Sequence, residues 1–148
     1  MSVRLQMIAA VAGTASAAAI SVVALASTSE AGLPSYTNGY TAWPRINKKP
    51  FTSTGPLSSA HAGVKNVYAS RRKAGGRYPN GTVIVKTIRG RGDTGAPDQV
   101  AVMRKVAGRW RFVEYELSGS RYTILAQGQL CVDCHTQARA NDFVFTRR

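Results

Sequence analysis

Carboxylates are scarce in this chain. Seven Asp and Glu stand against 20 Lys and Arg in 148 residues, a formal net charge of +13. Such a balance favours an acidic partner, an anionic membrane surface or nucleic acid, or else is simply a solvated basic surface. Cysteine and histidine are as sparse, with two of each: Cys131, Cys134, His61 and His135. A closed zinc site wants four ligands and would have to use all of them. After the first thirty residues nothing is apolar enough to span a bilayer, and there are no internal repeats. The length sets one domain as the default.

What is present begins with a leader. Met1 to Gln6 carries Arg4, and Met7 to about Ala26 has no charge. Small residues then close the run, giving cleavage after Ala26 or Ala31. That order is a secretory signal peptide, here over residues 1–31, and leaves a domain of residues 32–148. Arg4 and Glu30 cancel, so the whole positive excess belongs to that domain. Export makes nucleic acid a poor fit. It leaves a solvated surface as the simplest reading and an acidic electron-transfer partner as the specific one.

Gly32 to Phe51 has no clear period and reads as an extended lead-in with turns at Pro34, Asn38-Gly39 and Pro44; Trp43 is a candidate core anchor. Thr54-Gly55-Pro56 predicts the start of a helix. Leu57, His61, Val64 and Tyr68 fall at helical spacing, with cations at 71–73 and Gly75-Gly76 as the stop. Pro79-Asn80-Gly81 is a turn signal. Four strand candidates follow: Thr82 to Ile88, Gln99 to Val106, Arg109 to Leu117 and Arg121 to Ala126. Their short links predict antiparallel hairpins. The expected class is α+β, a mainly antiparallel sheet with one or two short helices in a single domain.

Cys131-Val132-Asp133-Cys134-His135 is C-x-x-C-H, the attachment signature of c-type haem. Two thiols three positions apart reach the porphyrin's two vinyl groups, and the next imidazole ligates the iron. A redox-active or structural disulfide is the competing reading. The βαβ context of a thioredoxin-like pair is missing. A sixth ligand could come only from Met103 or His61. Each is read first as a core side chain, which leaves a five-coordinate iron with an open distal face. The alternative is a six-coordinate periplasmic electron-transfer cytochrome c. Alternation along the third strand candidate puts Trp110, Phe112, Glu114 and Glu116 on one face. If that face lines the pocket, Glu114 is placed to relay protons; otherwise both Glu are surface charges.

The run Tyr78-Pro79-Asn80-Gly81-Thr82-Val83-Ile84-Val85-Lys86, the segments Val102-Met103-Arg104-Lys105 and Trp110-Arg111-Phe112, and the ending Cys131 to Thr136 with Asp142-Phe143-Val144-Phe145-Thr146 form a familiar series. From about Trp43 onward the chain resembles the cytochrome P-460 family, which includes the cytochromes c′-beta. The resemblance implies an antiparallel β fold around one covalent haem c and an open distal site, with homodimers conceivable. Members that are active enzymes oxidise hydroxylamine, bind nitric oxide and carry a lysine-to-porphyrin crosslink; c′-beta members lack it and bind gases. Carried over residue by residue, the motif implies haem on Cys131 and Cys134 with His135 as the metal ligand. The crosslinking lysine stays open among Lys48, Lys49, Lys65 and Lys86, and the distal carboxylate between Glu114 and Glu116.

Overall fold

Six strands form one antiparallel sheet in sequence order, each paired with the next. The computed structural model describes residues 30–53, 61–90 and 94–146. The strands are β1 (Phe51–Thr52), β2 (Val64–Ala69), β3 (Val83–Arg89), β4 (Gln99–Val106), β5 (Arg109–Ser118) and β6 (Arg121–Gln127). One α-helix follows, α1 (Gln129–Thr136), and single 3-10 turns lie at Ser35–Thr37, Tyr40–Ala42 and Arg139–Asn141. The leader lies outside the described residues. No helix among the described residues is long and apolar enough to cross a membrane.

The sheet is apolar on both sides because both sides are covered. On one face Val83, Val85, Val100, Val102, Tyr115 and Tyr122 pack under Leu33 and Tyr40 of the lead-in. Trp43 is half-buried against this cluster, so it does serve as an anchor. On the other face Val67, Ile84, Met103, Trp110 and Phe112 pack under Val144 and residues of α1. Each such buried side chain contributes roughly 1.5–3 kcal/mol. This second face carries the site.

The predicted helix from Thr54 is not what the chain forms where it is described. Residues 54–60 lie outside the described residues, but Val64–Ala69 is strand β2, paired with β3 from Val64↔Arg89 to Ala69↔Ile84. The helical spacing of Val64 and Tyr68 was ambiguous because both faces of β2 meet apolar neighbours. Two β-branched residues and partners on both sides settle it as strand. Gly63 precedes it at φ 120°, where a Cβ would lie 2.5 Å from the Arg89 carbonyl oxygen. Gly75 and Gly76 therefore end no helix. Both are left-handed and form the tip of a tight turn closed by Ala74 and Arg77.

One irregularity shapes the site. Glu114 faces Ala126 and Tyr115 faces Ile124, so Leu125 is an extra residue on β6. This bulge lets Ala126 stay on the pocket face beside Glu114.

Candidate haem site

Cys131, Cys134 and His135 sit at i, i+3 and i+4 on α1, which places them on one face of the helix. That face closes over β3 to β5 and encloses a cavity with about 720 Å³ of empty space, its mouth included. All three side chains line it, with Val67, Ile84, Met103, Phe112, Val144 and Phe145 as apolar walls. Both thiols are free, and burial pushes the Cys131 thiol up.

His135 is held in one orientation. Its Nδ1 lies 2.7 Å from the Phe143 carbonyl oxygen. A carbonyl only accepts, so Nδ1 carries the proton and Nε2 keeps its lone pair, the state a metal ligand needs. The ring is 5% exposed, 4.5 Å from the Phe112 ring and 5.1 Å from Phe145 between centroids. Burial, with Lys86 and His61 nearby, lowers its pKa to about 4 despite the Phe143 bond, so it is neutral at pH 7.

The Phe143 carbonyl is aimed by a turn that residue types alone would not suggest. Asp142 and Phe143 are both left-handed, at φ 55° and 64°. Such a conformation costs energy for non-glycine residues and persists only where neighbours enforce it. The enforcement is the Asp142 carboxylate. It accepts from the Tyr78 backbone N–H at 2.7 Å and from Lys105 Nζ at 2.8 and 3.0 Å. Burial raises the Asp142 pKa, but the Lys105 ammonium and the Tyr78 N–H outweigh it and hold the carboxyl below its usual range.

Two titratable side chains meet at another part of the cavity. Glu114 lines it, and its Oε1 lies 2.6 Å from His61 Nδ1. Glu116, the other acidic candidate, is exposed further along β5. Met103 is both core and lining, 5% exposed. Of the four lysines left open, Lys86 alone lines the cavity; Lys48 and Lys49 are exposed, and Lys65 is buried with its Nζ donating to the Gly63 carbonyl at 3.1 Å. Burial and the neighbouring Lys65 lower the Lys86 pKa to about 8.

The donor set fits a haem rather than a bare ion. Among the described residues no cluster of three or more His, Cys, Asp or Glu could hold a metal by itself. What the cavity offers is one neutral imidazole, two thiols at vinyl spacing and apolar walls, the requirements of a covalently attached porphyrin. Residues Phe143, Asp142, Lys105 and Tyr78 complete the site without having stood out as site residues. The Asp142 to Thr146 run had entered only through the family resemblance.

The family model described as Cytochrome P460 matches residues 37–146. No curated protein matches the chain. The match takes in all six strands, the attachment helix and the turn that orients His135, so the chain belongs to the cytochrome P460 family, a family of periplasmic haem c cytochromes.

Proposed function

We propose that this protein is an exported mono-haem cytochrome whose open distal site binds nitric oxide or oxidises hydroxylamine-like small nitrogen compounds. The observation that carries the reading is His135, its Nδ1 engaged by the Phe143 carbonyl, lining a cavity that both cysteines of its helix also line. Cys131 and Cys134 would hold the porphyrin and His135 the iron. When bound, the iron would supply an open coordination position and accept electrons from a substrate nitrogen. The chain's own residues would do the rest. Apolar walls exclude water, and Glu114, anchored by His61, accepts a substrate proton.

The six-coordinate alternative would draw its ligand from Met103 or His61, both of which line the cavity. Met103 is packed in the core cluster with Ile84, Trp110 and Phe112, whereas the Glu114 contact to His61 Nδ1 leaves Nε2 of that ring available as a ligand. If either were a sixth ligand, replacing it would convert a low-spin spectrum to high-spin.

The deciding experiment is the absorption spectrum of protein co-expressed with c-haem maturation, ferric and then dithionite-reduced. A covalent, high-spin five-coordinate haem is expected, and a haem-free product would overturn the reading. Lys86 then separates the two activities. An amine with a pKa of about 8 is partly neutral at pH 7 and nucleophilic, which suits it to a porphyrin crosslink. A far-red reduced Soret band that reverts to an ordinary position in Lys86→Ala would mark the hydroxylamine-oxidising type. An ordinary spectrum unchanged by Lys86→Ala would mark the gas-binding type.

Export is part of the same proposal, with cleavage after Ala26 favoured over Ala31. Glu30 accepts a hydrogen bond from the Tyr40 hydroxyl at 2.9 Å, and the Ala31 carbonyl accepts from the Tyr122 N–H at 2.8 Å. Both contacts survive only the earlier cut. The intact mass of the periplasmic protein is expected to correspond to a chain starting at Ser27, with one haem added.

A further inference from the structure

Beside the haem cavity lies a second cleft, with about 660 Å³ of empty space, and its chemistry differs. Its apolar floor is Ile46, Ala69 and Tyr78. Its rim is Arg71, Arg72 and Lys73, and no carboxylate among the described residues lines it. The cations come from one hairpin. Residues 71–77 read Arg-Arg-Lys-Ala-Gly-Gly-Arg, four positive charges in seven positions. Ala74 and Arg77 exchange backbone hydrogen bonds at 2.8 and 3.2 Å, and left-handed Gly75 and Gly76 make the tip.

The hairpin is braced at its stem and open at its rim. Arg71 donates to the Asn80 carbonyl at 2.9 Å. Asn80 in turn accepts from the Gly108 N–H at 2.7 Å, so exposed Arg109 continues the positive charge around this end of the sheet. Lys73 Nζ donates to Asn141, at 2.7 Å to Oδ1 and 3.2 Å to the carbonyl. Arg72 and Arg77 stand exposed. The contact to Asn141 matters because the segment it begins borders both cavities: Asn141 and Thr146 line this cleft, and Val144 and Phe145 line the other. Two residues later in that segment is the Phe143 carbonyl that orients His135.

We propose that this hairpin and its cleft are the docking surface for an acidic partner protein, seated against the wall that carries the His135 acceptor. Fixed like charges held on a rigid turn repel one another when free and are relieved by carboxylates. Exposed guanidinium groups at the rim match carboxylates bidentately, and the apolar floor accepts a side chain between them. A basic surface lying against the haem wall brings an acidic partner to where electrons would leave. That last role rests on the haem reading, whereas the surface itself does not.

The test uses the haem-loaded, full-length mature protein and an octaglutamate peptide at low ionic strength. Binding is read by calorimetry, and its location by backbone amide shifts. Shifts are expected at residues 71–77 and 139–146. Arg72→Gln/Arg77→Gln, which removes exposed charges without touching the braced stem, is expected to weaken binding by about tenfold. Arg89→Gln/Arg121→Gln removes two charges at the opposite end of the sheet and is expected to change it by less than about twofold. Equal weakening by both pairs would reduce the effect to net charge and overturn the proposal. So would binding to phosphatidylglycerol vesicles in place of the peptide, lost with the same Arg72 and Arg77 changes, which would make the surface a membrane contact. Peptide binding at the hairpin by a protein that never acquires haem would sink the functional reading and leave the docking surface standing.

Discussion

Replacing Asp142 by Asn is expected to cost about 3–5 kcal/mol of stability, the usual effect of stranding one member of a buried ion pair. The side chains of Lys105 and Asp142 are only 8% and 6% exposed. Asn keeps the shape and one acceptor oxygen for the Tyr78 N–H, so what is lost is chiefly the counter-charge. For a domain with a net stability of about 5–15 kcal/mol, that is a large share. Adding Lys105→Met to Asp142→Asn removes the stranded ammonium and is expected to recover most of the loss. Denaturant midpoints of the two variants make the measurement. A single variant within about 1 kcal/mol of the parent would show that the pair does not hold the turn. The pH dependence has a definite sign. Asp142 is depressed in the folded state, so its contribution is fully present above the unfolded value of about 3.9 and is lost as the pH falls through the lower folded value. The parent protein should therefore lose stability in acid below about pH 4, and Asp142→Asn should lose less over the same range.

This turn also shows where sequence reading stops. Cys131, Cys134 and His135 were legible because their spacing is local and each residue type is required by the chemistry. Strand β4 was legible to the residue, and β3, β5 and β6 to within one at either end, because β-branched and aromatic runs broken by Gly and Ser admit no helix. Strand β2 was misread for a physical reason. Its two faces both meet apolar neighbours, so Val64, Val67 and Tyr68 lose the polar alternation that marks a half-buried strand and fit a helical face equally well. The orientation of His135 was invisible because its partner is a backbone carbonyl, which every residue has. The left-handed turn that aims the carbonyl carries no glycine to announce it. It is fixed by a lysine 37 positions earlier, a distance at which neither period nor propensity operates. Glu114 could be placed on the right face from alternation alone. What could not be read was that His61, assigned to a helix, would meet its carboxylate at 2.6 Å.

That contact carries the largest expected effect on activity. Glu114→Gln keeps the side chain's size and one oxygen for His61 but removes the group that would accept a proton from a bound nitrogen substrate. Loss of a positioned general base lowers rates by about 10²–10⁴-fold. Hydroxylamine oxidation by the haem-loaded variant is expected to fall within that range. Binding of nitric oxide, which releases no proton, is expected to stay within about threefold. The contrast makes the result specific, since a collapsed pocket would impair both. His61→Ala provides the complementary case. The carboxylate remains but loses its anchor, so a smaller loss is expected, of about tenfold, because a mispositioned base still transfers protons. Steady-state rates and nitric oxide titrations on the same preparations decide the matter. A Glu114→Gln protein that oxidises hydroxylamine at the parent rate would remove the carboxylate from the chemistry. The 2.6 Å contact would then be a structural tie, closing the edge of the cavity between the start of β2 and the middle of β5.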